Sequence, residues 1–132
     1  MNTIIGKIVS VESNGELSLV RMTSAGLKFT SIVIDTPETA AYLKPENPVK
    51  IIFKENEVIL ANRADCSISL QNKMPGEIIK VESDKLLSKL VIKTPVGNIT
   101  SIITSNAVKQ LDLYLGKNIV AMVKTNEIML SE

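Results

Sequence analysis

The feature that most constrains this chain is an internal repeat. When the 132-residue sequence is displaced by seventy residues, residues 30–32 (TSI) meet residues 100–102 (TSI), and residues 54–60 meet residues 124–130 in the shared pattern Lys-x-Asn-Glu-(Val/Ile)-x-Leu. Before these segments, over residues 19–26, the best match of the letters, including Gly26 with Gly97, needs a one-residue shift. The matches indicate a duplication, and we predict two modules, residues 1–64 and 68–132.

Each module has the element order of a small β-barrel. β-Branched, alternating segments predict strands, Asn14-Gly15 and Ala25-Gly26 predict turns, and the stretch at 54–57 is expected to turn the fourth strand into a fifth. The predicted strands of the first copy cover residues 4–11, 17–22, 28–34, 49–53 and 58–61, with a helix at 38–43; those of the second cover 75–81, 88–94, 98–104, 119–123 and 128–130, with a helix at 107–113. The fold class predicted is all-β: two tandem OB-like five-stranded β-barrel modules, each with one short helix.

The composition indicates a folded cytoplasmic protein that assembles with copies of itself. Hydrophobic residues make up 45% of the chain, and the mean hydropathy is +0.20. Two very small modules cannot bury this much apolar surface alone, so we expect part of it to lie in a subunit interface. Gly6 and Lys7 interrupt the apolar start, no apolar run reaches membrane-spanning length, and we expect neither a signal peptide nor membrane contact. The single cysteine, Cys66, fits a reducing compartment and is interpreted as a small apolar filler between modules.

Catalysis and nucleic-acid binding find little support in the residue inventory. The sequence contains no histidine, no tryptophan and one cysteine, which removes imidazole bases, nucleophilic triads and most metal sites. We therefore predict that the protein is not an enzyme and that no metal is coordinated by its side chains. With a net charge of +1 and four aromatic residues, it offers neither the basic groove nor the stacking platform of a single-strand binder.

Binding of a small oxyanion fits the residues better. The stretch at 100–106, TSIITSN, supplies four hydroxyl groups immediately before a predicted helix, where neutral donors and the helix dipole favour an anion. The alternative is that Ser105 or Asn106 merely caps that helix. A cap and an anion site can also share the same helix end.

Three segments of the second copy resemble the molbindin family, that is, the molybdenum-pterin-binding (Mop) or TOBE domains. Residues 69–78, SLQNKMPGEI, resemble the opening motif Ser-(Ala/Gly)-Arg-Asn followed by Gly-x-aliphatic. Residues 103–113, ITSNAVKQLDL, resemble the helix segment Ile-Thr-x-x-(Ser/Ala)-Val-x-x-Leu-x-Leu, and residues 120–128 resemble Val-x-Ala-x-Val-Lys-Ala-Thr-Glu-Val. The resemblance extends over both copies and is strongest in the second.

This resemblance implies OB-like barrels arranged around a threefold axis, hence a homotrimer, and noncovalent binding of molybdate or tungstate as the only ligand. Serine and threonine hydroxyls would donate hydrogen bonds to the oxyanion and a lysine would supply charge. The candidate oxyanion-binding residues carried over by position are Ser69, Asn72, Ser101, Thr104 and Lys124, with Ser31 and Lys54 at the matching positions of the first copy.

The chain departs from the family pattern at several of these positions. Gln71 stands where the family has arginine, which removes a fixed positive fork. In the first copy, Ile34 replaces the counterpart of Thr104 and Asp35 adds a negative charge beside it. Two hypotheses follow: an intracellular carrier or buffer of molybdate-type oxyanions, and a structural or regulatory interaction module that keeps the fold without a ligand.

Overall fold

The computed structural model describes residues 1–63 and 67–132, and these residues form two curled five-stranded antiparallel sheets. The strands are β1 (Asn2–Asn14), β2 (Leu17–Ser24), β3 (Leu27–Val33), β4 (Pro48–Phe53), β5 (Ile59–Ala61), β6 (Asn72–Ser83), β7 (Leu87–Thr94), β8 (Gly97–Thr104), β9 (Asn118–Val123) and β10 (Met129–Ser131), with one α-helix, α1 (Ser105–Gln110), between β8 and β9. The predicted all-β class and the strand positions are confirmed. In the described ranges, no helix is long and apolar enough to cross a membrane.

Alternation along the strands builds the core. From Asn2 to Val9, every second residue of β1 is buried and the residues between them are exposed. Most buried hydrophobic side chains of both sheets join in one large cluster, and Phe29 and Phe53 are its bulkiest fully buried members. The two sheets therefore share a continuous hydrophobic core.

The last strand of each half belongs to the sheet of the other half. The strand orders are β10-β4-β1-β2-β3 and β5-β9-β6-β7-β8. The predicted turn at 54–57 from the fourth strand into a fifth is present as a 3₁₀ turn over Glu55–Glu57, and β5 then pairs with β9 of the other half. Thr125–Glu127 forms the same turn before β10, which pairs with β4. The exchange is reciprocal, which is the relation expected of two units about an approximate twofold axis.

The seventy-residue offset holds without interruption through the strands. Both β1 and β6 carry a bulge at matching places, between Ile8 and Ser10 and between Ile78 and Lys80. The one-residue shift inferred from the letters is wrong, because Gly26 is the second residue of its turn whereas Gly97 follows the corresponding turn and opens β8. The two glycines therefore match in the sequence although they occupy different positions in the two hairpins.

The two halves differ where a helix was predicted in each. In the second half, α1 forms over Ser105–Gln110. The predicted first-half helix at 38–43 is wrong, since this stretch forms hydrogen-bonded turns. The Thr39 hydroxyl donates to the Asp35 carboxylate at 3.0 Å, and such local bonds compete with helix formation. Pro45 also disfavours helical geometry at the residue before it. The role predicted for Cys66 falls outside the described residues.

Candidate functional site

Asn72 joins the two halves from a fully buried position. Its Oδ1 accepts a hydrogen bond from the Thr30 amide at 2.7 Å, and its Nδ2 donates to the carbonyls of Thr30 (2.9 Å) and Val123 (3.0 Å). Asn2 makes the matching bonds in the other direction, to the amide and carbonyl of Thr100. Both amide hydrogens of Asn72 are therefore used within the protein, and the side chain aligns β6 against β3.

The two candidate serines within strands are also buried and engaged. Ser101 donates to the carbonyl of Val58 at 3.1 Å, and Ser31 donates to the carbonyl of Ile128 at 3.0 Å. Both serines are 0% exposed. Each hydroxyl thus holds the segment that leads into an exchanged strand, and neither has a free hydrogen to offer a ligand.

The remaining candidates reach solvent. Ser69 and Lys124 are exposed, and so are Thr104 and Lys54. Thr104 is the N-cap of α1, because its Oγ1 accepts from the amide of Ala107 at 3.1 Å; the cap is therefore neither Ser105 nor Asn106. Its hydroxyl hydrogen stays available for an outside acceptor.

The fold places these exposed residues at two separate locations. Lys124 directly follows Val123, which pairs with Asn72 at the start of β6, so Lys124 lies beside the segment containing Ser69 and Gln71. Thr104 pairs with Leu87, near the far end of β6. A strand of 12 residues is roughly 36 Å long along its path. Thr104 therefore lies near one end of β6, and Lys124 and Ser69 lie near the other.

A pocket opens beside Gln71 on the outer face of the β2–β3 hairpin. Its volume is about 460 Å³, and its lining includes Arg21, Thr23, Lys28 and Thr30. The family resemblance did not point to these residues, because its three motif segments all lie in the second copy. The signal was nonetheless present: a two-residue turn at Ala25-Gly26 fixes which side chains of the hairpin face each other.

Electrostatics at the rest of the surface are local. The hydrogen bond from the N-terminal ammonium group lowers the pKa of Glu55, and two backbone amides, those of Leu87 and Leu86, lower the pKa of Asp84. Among the described residues, no group of three histidine, cysteine or acidic side chains is placed to hold a metal ion. The exposed hydroxyls and ammonium groups are suited to hydrogen bonding and charge neutralisation of an anion.

The second half matches the TOBE domain family over residues 68–130. Molybdenum-pterin-binding protein 2 of Clostridium pasteurianum is 31% identical over 65 residues, which are 48% of this chain and 96% of that protein. MopB of Rhodobacter capsulatus, a molybdenum-pterin-binding protein, is 27% identical over 95% of this chain but only 47% of its own length. The chain thus spans about half the length of the longer curated relatives that it matches.

A solved structure shows the same fold over the whole chain. The cytoplasmic molybdate-binding protein ModG, determined with molybdate bound, superposes with a TM-score of 0.88, covering 98% of this chain and 94% of ModG at 22% identity. The tandem arrangement of two five-stranded units is therefore a known architecture. Together with the sequence identity of the second half, it shows that the chain belongs to the molybdenum-pterin-binding (Mop) family of TOBE-domain proteins, in its tandem two-module form.

Proposed function

We propose that this protein binds a tetrahedral oxyanion of the molybdate or tungstate type, noncovalently, in molybdenum homeostasis. The observation that carries the proposal is the second half itself: it matches the TOBE family over residues 68–130, and its Ser69, Thr104 and Lys124 side chains are exposed. The relatives are named for binding molybdenum-pterin or molybdate, which supports the same ligand class here.

The seven candidate residues take two different roles in this proposal. Lys124 supplies charge and the exposed hydroxyls of Ser69 and Thr104 supply directional donors. Asn72 and Ser101 position the strands that carry those donors, since their own hydrogens are committed within the chain. At the corresponding place in the first half, Lys54 is the exposed cation and Ser31 the positioning hydroxyl.

A complete site in this proposal needs more than one copy of the chain. Thr104 lies near one end of β6 and Lys124 near the other, so Thr104 of one protomer would meet Ser69 and Lys124 of a neighbour. An exposed apolar surface formed by Leu17, Ile32, Ile34 and Met129 supports such assembly, Ile34 being 77% exposed. The trimer implied by the family resemblance remains a prediction.

The broader properties proposed are those of a cytoplasmic binding protein. Supporting observations are that the relatives are named as binding proteins and that ModG is described as cytoplasmic. We propose no catalysis, no nucleic-acid partner and no membrane partner, on the residue inventory given above. We also propose residues 1–64 and 68–132 as the two sequence units, each of which depends on the other through the exchanged strands.

A ligand-free structural or regulatory module is the second candidate function. One observation favours it: at position 71, where the resemblance expects arginine, Gln71 is neutral and its Nε2 contacts the carbonyl of Ser69 at 3.5 Å. A site without that guanidinium has one fewer fixed charge for an oxyanion.

Calorimetric titration of the full chain with molybdate, with sulfate as the competing ion, distinguishes the two. The proposal predicts saturable molybdate binding that excess sulfate does not displace. Lys124→Ala should weaken it at least tenfold, whereas the control Lys44→Ala, at an exposed position between β3 and β4, should not. Absence of heat with molybdate would instead support the ligand-free module.

A further inference from the structure

The pocket beside Gln71 has the side chains of an anion site, and it shares none of the seven candidate residues above. Arg21 pairs directly with Thr30 across the β2–β3 hairpin, and Thr23 pairs with Lys28. Cross-strand partners and their next-but-one neighbours share a face of the sheet, so these four side chains form a compact group. Met22 and Phe29, which alternate with them, point into the core and are 1% exposed.

We propose that this pocket binds the phosphate-type dianionic group of a small molecule. Arg21 offers a planar fork of donors that matches two phosphate oxygens, and Lys28 adds a second positive charge from the neighbouring strand. The hydroxyls of Thr23 and Thr30 and the amide of Gln71 complete a set of neutral donors around them. Of the described residues that line the pocket, none is acidic.

The pocket is assembled from both halves of the chain. Arg21 and Lys28 come from the first half, whereas Gln71 precedes the first strand of the second half. Asn72, next to Gln71, is fastened to Thr30 by two hydrogen bonds, so the position of Gln71 against the hairpin is fixed. Val9, at the bulge of β1, also lines the pocket, and bulges often occur beside binding sites.

An exposed carboxylate competes with the proposed ligand for Arg21. Glu12 forms an ion pair with Nη1 of Arg21, and its side chain is 69% exposed. Exposed ion pairs of this kind are weak and are easily replaced by a better partner. The remaining guanidinium hydrogens can still reach the pocket.

The second half shows what the same hairpin looks like without this arrangement. At the constant offset of seventy residues, Val91 takes the place of Arg21 and Asn98 takes the place of Lys28. The fold therefore accommodates an uncharged pair at both positions. Lys93 takes the place of Thr23, so the second hairpin keeps one cation on this face, whereas the first hairpin has two, Arg21 and Lys28.

The pocket is large enough for more than a bare ion. Its volume of about 460 Å³ lies in the range of small-molecule sites. A free phosphate ion and a phosphate ester present the same charged group, and they differ only in the organic part that would fill the remaining space. A titration with a free phosphate ion and one with a phosphate ester are therefore both needed to identify the ligand.

The test is a titration of the full chain, isotope-labelled for amide NMR, with phenyl phosphate and, separately, with inorganic phosphate. We expect saturable shifts of the Arg21, Lys28 and Thr30 amides with at least one probe. Tighter binding of phenyl phosphate identifies an ester as the ligand, and equal binding identifies the free ion. The double variant R21V/K28N, which carries the residues of the second half, should bind at least tenfold more weakly while its spectrum shows an intact fold.

The control variant K44N/K85N removes the same charge at exposed positions away from the pocket and should bind as the unmodified chain does. Absence of saturable shifts at the hairpin with both probes overturns the proposal, and so does unchanged binding by R21V/K28N. Neither result decides the oxyanion site proposed at residues 69, 104 and 124, because none of these three residues lines the pocket.

Discussion

Replacing Asn72 by alanine removes the hydrogen bonds that align the second half against the first. Three bonds disappear together: those to the amide and carbonyl of Thr30 and that to the carbonyl of Val123. Asn72 is 0% exposed, so water cannot simply take over the abandoned backbone groups. The substitution also leaves a small void at the junction of β3, β6 and β9.

The expected loss of stability follows from these bonds. Each contributes about 1 kcal/mol net, and a buried backbone group left without a partner costs more, so Asn72→Ala should lower the free energy of unfolding by about 3–5 kcal/mol. Asn2→Ala breaks two comparable bonds, to Thr100, at a site that is 6% exposed. We expect about 2–3 kcal/mol there.

Urea denaturation followed by circular dichroism, at one fixed protein concentration, measures both losses. Because each sheet contains a strand from the other half, the unmodified chain should unfold in a single transition. Asn98→Ala, at an exposed position of β8, serves as the control and should change stability by less than about 0.5 kcal/mol. If Asn72→Ala is no more destabilising than this control, Asn72 does not align the two halves as described.

Three further outcomes are expected. Gly76→Ala should destabilise the protein by about 1–3 kcal/mol, and by more than Gly6→Ala does. The new Cβ at position 76 would lie 2.4 Å from the backbone oxygen of Lys93, whereas the nearest atom at Gly6, at 2.8 Å, is the end of a flexible isoleucine side chain. Thermal denaturation of the two variants makes this comparison. Because the pKa of Asp84 is lowered in the folded protein, its carboxylate contributes stability above the unfolded-state pKa, near 4, and this stability is lost as the pH falls through the folded-state pKa. Between pH 5 and pH 2, the urea midpoint of Asp84→Asn should therefore decline less than that of the unmodified chain. An equal decline would refute the assignment. Deleting residues 129–132 should accelerate amide hydrogen exchange in β4, the partner of β10, before it does so in β9, and the reverse order would contradict the strand exchange.

The positions of the strands were predictable from the sequence, but the exchange of the last strands was not. Alternating β-branched residues identify where a strand forms because burial on one face requires that pattern. They cannot identify its partner when two candidates are alike. Residues 58–60 and 128–130 read VIL and IML, so each of these segments fits either sheet. The pairing is known from the structure, in which β5 joins β9 and β10 joins β4.

The candidate site was predictable in its residue types and less so in their roles. Ser101 and Thr104 are both hydroxyl residues of one strand, yet Ser101 is buried against the carbonyl of Val58 whereas Thr104 is exposed at a helix cap. The motif resemblance carries over both without distinguishing them. Arg21 and Lys28 escaped notice because they come together only across the hairpin, whose register depends on the turn between them.

The central claim, that exposed residues of the second half bind a molybdate-type oxyanion, is tested most directly by locating the ion. Crystals of the full chain grown with molybdate and measured at the molybdenum absorption edge give anomalous density only where the ion lies. We predict a peak within hydrogen-bonding distance of Lys124 and Ser69, with Thr104 of a neighbouring protomer completing the site. Anomalous density found only at other surfaces, or no such density in crystals grown with saturating molybdate, would contradict the claim.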